Sequence, residues 1–114
     1  MTGNRNNEGK PKISLIFDAP LALSSLAAVL EHGAKKYGRG NWLQGLVYTE
    51  IVDSLARHTL LFMNGEELDE ESGLPHVSHM MANTLFLAQL HLSNSGTDDR
   101  PASESLPVWH VPPP

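Results

Sequence analysis

Apolar positions along the chain fall into three helical patterns separated by breaker-rich segments, with a polar flank at each end. Leu23, Leu26, Ala27, Leu30 and Ala34 recur at steps of three and four, the spacing that brings side chains to one face of an α-helix. With Asp18 as N-cap and Pro20 in the first turn, this predicts a first helix over roughly 20–35, ended by the Tyr37-Gly38-Arg39-Gly40-Asn41 cluster. A second helix is expected to open near Tyr48 or Thr49 and stop at Asn64-Gly65. A third is expected from Pro75 to Leu92, where Val77, Met80, Met81, Leu85, Phe86, Leu87 and Leu90 make the pattern apolar nearly all round and so argue burial. Between Lys10 and Phe17, Ile13, Leu15 and Phe17 alternate in the manner of a short extended arm. No second strand pattern exists to pair with it, so it is expected to lie across the helices. Residues 1–9 are polar and read as flexible, and Ser93 onward, rich in Ser, Asp and Pro, reads as a disordered or loosely docked tail. Trp109 is the tail residue able to dock on the body or on a neighbouring subunit. The expected fold is all-α: a small bundle of three main helices over residues 10–92, with an extended N-terminal arm and a Pro-rich tail, completed by oligomerisation.

Polar side chains interrupt two of these patterns. Glu50, Asp53 and Arg57 recur at +3 and +4 along the second helix, and His76, His79 and Asn83 repeat that spacing on the third. Polar groups on a buried helix need partners, which are each other, a metal or a ligand. Between the two helices, Glu66 to Glu71 carries five carboxylates in six residues. Such a run is ordinarily a solvated loop, but this one joins two helices with polar stripes. Hard cations such as Mg²⁺ take several carboxylate oxygens and keep waters for substrate phosphates. Glu50, Asp53, Glu66, Asp69 and Glu71 can supply such ligands.

His76 and His79 are spaced to bind a transition metal, or else to hydrogen-bond the acidic loop and orient its carboxylates. Arg57 is either an ion-pair partner of Asp53 or a phosphate clamp. Lys35, Lys36 and Arg39 flank the Gly-rich loop and can also meet phosphate, although lysines at a helix end are commonly only solvated.

The bulk properties narrow the classes. A formal charge of −5 and a pI near 5.6 disfavour binding along a nucleic-acid polymer. They do not disfavour a nucleotide whose phosphates are carried by metal ions. The absence of Cys excludes thiolate sites and disulfides. Neither an apolar run of membrane-spanning length nor a secretion leader is present, so no membrane is expected and the expected compartment is the cytoplasm. There is no GxxxxGK[ST] loop, GxSxG elbow, HExxH pattern or His-Asp dipeptide, which removes support for P-loop, serine-hydrolase, zincin and His-Asp phosphohydrolase chemistry.

Three blocks in order, GAKKYGRGNW (Gly33 to Trp42), DSLARH (Asp53 to His58) and GEELDEESGLPHVSHMMANTLFL (Gly65 to Leu87), resemble the small phage and bacterial family of dATP/dGTP diphosphohydrolases. The likeness covers about Lys10 to Leu90, nearly all the foldable chain. It implies hydrolysis of a purine deoxynucleoside triphosphate to the monophosphate and pyrophosphate. By analogy with the all-α pyrophosphohydrolases of the MazG type, it also implies a divalent-metal site between helices, with Mg²⁺ and, as alternatives, Mn²⁺ or Co²⁺, and a homo-oligomer, dimer or higher. The MazG pattern pairs ExxE on one helix with ExxD on the next. Here Glu50-Ile51-Val52-Asp53 matches one half, and histidines occupy the equivalent face of the later helix. On this reading Asp53, Glu66, Asp69 and His79 are the catalytic candidates. Glu50, Asp53, Glu66, Asp69, Glu71, His76 and His79 are the metal candidates. Lys36 and Arg57 are the phosphate contacts, Asn41 and Trp42 the nucleoside contacts, and Asn83 a further substrate-binding group. The alternative is a non-catalytic helical interaction or regulatory module whose polar stripes only fix helix packing.

Overall fold

The computed structural model describes residues 3–101 and 109–112. Three α-helices carry the fold: α1 (Pro20–Tyr37), α2 (Tyr48–Met63) and α3 (His76–Leu92), with 3-10 turns at Ile13–Asp18 and Asn41–Gln44. Among the described residues no β-strand forms; only isolated bridges link Val47 with Thr97 and Leu68 with Pro75. α3 is the shared element, packing along α2 and also against α1. Tyr48, Ile51 and Leu90 are buried where α2 meets α3, and Trp42, Leu46, Phe86 and Leu87 close over them. No helix among the described residues is long and apolar enough to cross a membrane.

Helix ends follow local chemistry, not always the one expected. Pro20 is the first residue of α1, where its missing N–H costs nothing, but the N-cap is Ala19; Asp18 ends the preceding 3-10 turn and caps nothing. α1 runs two residues past the expected end, to Tyr37, and stops at Gly38 with φ +93°. The start of α2 is capped from a distance. Asp99 accepts the Thr49 N–H at 3.0 Å and also takes the Thr49 hydroxyl, placing a carboxylate at the positive end of the helix. At the other end Gly65 N–H bonds Phe62 O and Glu66 N–H bonds Leu61 O, both at 3.0 Å, so Asn64-Gly65 stops α2 with paired carbonyls.

Three further expectations need correction. The arm is not extended: Ile13–Asp18 coils into a 3-10 turn, with Leu15 N–H on Lys12 O at 3.0 Å and Ala19 N–H on Ile16 O at 3.2 Å. Without a partner strand its backbone groups pair locally, and Ile13, Leu15 and Phe17 stay exposed. The third helix is not buried all round, since Val77, Leu85 and Leu92 face out while His76, Ser78, Ala82 and Leu90 are buried. The tail read from Ser93 onward begins as an ordered return over the start of α2. Tyr48 Oη donates to Ser95 O at 2.7 Å, Thr97 N–H to Leu46 O at 2.9 Å and Tyr48 N–H to Thr97 O at 2.9 Å. Gly96 makes the passage possible: its φ is +77°, and a Cβ there would lie 2.8 Å from Leu46 O. Residues 102–108 and 113–114 lie outside the described residues, and Trp109 is exposed.

A candidate metal centre beside an apolar cleft

The inward polar group of α2 is His58. It follows Ile51 by seven residues and Tyr48 by ten, so it shares their helical face and is carried into the α2–α3 interface, where it is 5% exposed. Opposite it, His76 opens α3 at 0% exposure. Two buried imidazoles are costly without partners, and these find each other, with Nδ1 to Nδ1 at 2.8 Å. His76 Nε2 reaches Glu66 Oε2 at 2.6 Å. A carboxylate there requires the proton on His76 Nε2. Neutral His76 then presents a bare Nδ1, and His58 donates its Nδ1–H to it.

The acidic loop folds onto this pair instead of splaying into solvent. Glu67 O accepts the His76 N–H at 2.9 Å, Leu74 O accepts the Asp69 N–H at 2.8 Å, and Asp69 O accepts the Gly73 N–H at 2.8 Å. Asp69 Oδ2 takes the Ser72 N–H at 2.9 Å and the Ser72 hydroxyl at 3.0 Å. That commits the single hydroxyl proton, so the 2.6 Å contact between Ser72 Oγ and His79 Nε2 is a bond donated by His79. The His79 ring lies on that of His58, centroids 4.5 Å apart and planes within 5°.

Electrostatics leave these groups ready to bind a cation. Burial pushes both His58 and His79 below the usual imidazole range. Burial alone would raise the Asp69 carboxyl, but the two bonds from Ser72, with His79 and His58 nearby, hold it below the usual carboxylate range. Neutral imidazoles and an ionised carboxylate are the forms that ligate metal. One donor atom from each of His58, Asp69 and His76 lies within 4.8 Å of the others, the one such group of three among the described residues. The donor set fits a divalent ion, and Glu66 behind His76 supplies the carboxylate that metal-binding histidines ordinarily engage through their other nitrogen.

His79 also lines a cleft of about 860 Å³ between α1, the Asn41–Gln44 turn and α3. Its walls are largely apolar, with Leu30, Ala34, Leu46 and the tilted pair Trp42 and Phe86, centroids 4.7 Å apart. His32, Arg39 and Asn41 bring polar groups to the same wall. The volume is that of a small-molecule site, and His79 is the member of the histidine cluster that reaches it.

Of the residues singled out in the sequence, Glu66, Asp69, His76 and His79 are brought together, and Asn41 and Trp42 line the cleft. Asn83 lies one turn below His79 but spends its amide on the His79 carbonyl at 2.9 Å. Lys36 and Glu71 pair with each other, tying the end of α1 to the acidic loop on its exposed side. Glu50, Asp53 and Arg57 are not brought in: all three sit on the exposed face of α2, about half a turn from the side that carries His58. Their +3 and +4 spacing is that of a solvated stripe. Three contributors were not singled out. The position of His58 in phase with the apolar residues was the available signal. Ser72 and His32 had none, because the folding of the loop and the packing of α1 place them.

The family described as dATP/dGTP diphosphohydrolase, N-terminal, matches over residues 1–100. A protein of Salmonella phage PMBT28 named dATP/dGTP diphosphohydrolase is 36% identical over 107 residues, covering 94% of this chain and 36% of that protein. The chain thus spans about a third of the length of that relative. No solved structure matches it. The family match over residues 1–100 and the likeness to a relative over nearly the whole chain agree: this chain belongs to the family of dATP/dGTP diphosphohydrolase N-terminal regions.

Proposed function

We propose that the chain hydrolyses purine deoxynucleoside triphosphates, dGTP and dATP, to the monophosphate and pyrophosphate, with a divalent ion held by His58, Asp69 and His76. The observation that carries this is the convergence of three ligand-competent side chains from α2, the acidic loop and α3 beside His79, which stacks on His58 and lines an apolar cleft. A bound divalent ion supplies charge neutralisation for the phosphoryl oxygens and the pyrophosphate leaving group. The chain's own residues do the rest. Trp42, backed by Phe86, offers an aromatic surface for the purine, and Asn41 offers its amide to the base or sugar. Arg39 and His32, on the same wall, are placed to meet phosphate oxygens, whereas Lys36 is engaged by Glu71. His79 donates through Nε2 to Ser72, which leaves its Nδ1 lone pair to accept the proton of an attacking water. Glu66 and Asp69 hold the imidazoles and the loop in place.

On this proposal the activity would act in a host cytoplasm, in keeping with the likeness to a phage protein, where trimming of purine deoxynucleotides would alter the pool available for replication. A homo-oligomer belongs to the same proposal, since Ile13, Ile16, Phe17 and Leu21 leave a row of large apolar side chains uncovered; light scattering tests it. The activity is tested by incubating the chain with a panel of deoxynucleoside triphosphates plus Mg²⁺, Mn²⁺ or Co²⁺, with and without chelator. Release of pyrophosphate from dGTP and dATP, abolished by chelator, is expected. Release of inorganic phosphate overturns the reaction, and inertness with every ion leaves a helical interaction module.

A further inference from the structure

We infer that the ion at this site is a transition metal bound through imidazole nitrogen, that Glu66 is the positioning residue that aims His76 at it, and that Mg²⁺ is a poor occupant. The inference deepens the proposed function and rests on its metal site, not on its nucleotide. A site built for Mg²⁺ gathers carboxylate, carbonyl and water oxygens and leaves most of the ion's own waters in place. The acidic loop contains enough carboxylates for that, yet the fold does not gather them. Glu71 is drawn off by Lys36, Glu66 is taken up by His76, and Glu67 and Glu70 are exposed. What converges instead is two imidazoles, nearly fully buried, and one carboxylate. Imidazole donors favour later first-row metals such as Co²⁺, Ni²⁺ and Zn²⁺, and they tolerate Mn²⁺ far better than Mg²⁺.

The geometry is close to what such an ion requires. Two nitrogens in adjacent positions on one ion, each about 2.1 Å from it, stand about 3.0 Å apart at octahedral and about 3.4 Å apart at tetrahedral angles. The His58 and His76 Nδ1 atoms stand 2.8 Å apart in the metal-free chain, sharing a proton that an ion would replace. Glu66 fixes which nitrogen of His76 faces inward: with Nε2–H held by the carboxylate, Nδ1 is the lone pair left for metal. His58, stacked on His79, is held in one ring plane. Because the two imidazoles come from different helices, the ion also ties α2 to α3.

The test uses the full chain without nucleotide. Metal-free protein is titrated with Co²⁺, read by visible absorption of the nitrogen-bound ion and by calorimetry, and then challenged with excess Mg²⁺ or with Zn²⁺. One Co²⁺ per chain is expected, displaced by Zn²⁺ and not by a hundredfold excess of Mg²⁺. His58→Ala should weaken Co²⁺ binding at least a hundredfold. Glu66→Gln, at a partly exposed position outside the core, should weaken it about ten- to a hundredfold while far-UV circular dichroism is unchanged. Asp53→Asn should bind as the parent does. Displacement by equimolar Mg²⁺, or parental Co²⁺ affinity in both His58→Ala and Glu66→Gln, overturns the inference. The two readings fail separately. Pyrophosphate release supported by Mg²⁺ without Co²⁺ binding removes this inference and keeps the hydrolase; tight Co²⁺ binding with every nucleotide left intact does the reverse.

Discussion

The imidazole of His58 lies flat on that of His79, with 4.5 Å between centroids and 5° between planes. His58 belongs to the buried pair that meets Glu66, and His79 belongs to the wall of the cleft. The stacked rings are therefore the physical junction between the candidate metal group and the space that would receive a substrate. Removing either ring should uncouple the two without unfolding the bundle, whose apolar centre is Tyr48, Ile51 and Leu90.

Replacing His58 is the sharpest perturbation. His58→Gln keeps a polar side chain of similar reach but removes the nitrogen lone pair and the stacking on His79. Pyrophosphate release from dGTP should fall by about a hundredfold or more, the scale of losing a ligand or its orienting partner, with little change in the thermal transition. Activity within threefold of the parent would take His58 out of the site.

The carboxylates separate by face. Asp69→Asn removes the charge from an oxygen that organises Ser72 and stands within reach of two imidazoles, so turnover should be lost while helical circular dichroism is retained. Asp53→Asn and Glu50→Gln alter only the exposed side of α2, where such changes are worth no more than about 0.5 kcal/mol. Both should turn over at the parental rate, and a hundredfold loss in Asp53→Asn would return the exposed stripe to the site.

This division also marks how much of the molecule was readable beforehand. Three helices, their order and the Asn64-Gly65 stop follow from apolar periodicity and turn chemistry, which are local properties. The contacts of Glu66 with His76 and of Asp69 with Ser72 join residues no more than ten positions apart, across the one loop between α2 and α3, so sequence proximity already brings them near each other. What periodicity left open was which stripe of α2 faces in. Glu50, Asp53 and Arg57 form a regular polar row, but Tyr48, Ile51, Leu55 and His58 form the apolar one, and burial selects the second. The Asp99 cap on α2 and the return of the chain through Gly96 join residues about fifty positions apart, beyond any local signal.

The cleft makes its own prediction. If Trp42 supports the base, Trp42→Ala should raise KM for dGTP about tenfold, the scale of one lost aromatic stacking contact, and leave kcat within about threefold. Trp42→Phe, which keeps a ring on Phe86, should restore most of the affinity. Equal loss in both variants would assign Trp42 to packing alone.

Acid should loosen the metal-free chain before it protonates the carboxylates. His58 and His79 resist protonation in the folded state because of burial. Well above pH 6.5, the ordinary imidazole value, these two rings carry no proton in either the folded or the unfolded chain, and stability is insensitive to them. Below that point the unfolded chain takes up protons that the folded chain refuses, so stability falls as pH falls. Asp69 is shifted in the same direction but acts at lower pH: its stabilising charge is present above the usual carboxylate value and is lost only as pH drops through its lowered folded value. Tm should therefore hold from pH 8 to 7 and decline from about pH 6.5, less steeply in His79→Gln. A flat Tm down to pH 5 contradicts this.

Gly96 tests the return of the chain. A Cβ there meets Leu46 O at 2.8 Å and Tyr48 Cε1 at 3.0 Å, on a backbone with φ +77°. Gly96→Ala should cost about 1–3 kcal/mol in urea unfolding. Unchanged stability would show that the segment after Ser93 contributes nothing to the bundle.

The most direct measurement is a crystal of the full chain equilibrated with Mn²⁺ and a non-hydrolysable purine deoxynucleotide, with anomalous scattering used to locate the ion. The predicted result is a peak among His58, Asp69 and His76, with the phosphates reaching toward it and the base along Trp42. A peak on the Glu50–Asp53 face, or a nucleotide bound elsewhere with the three ligands still bonded only to one another, would contradict it.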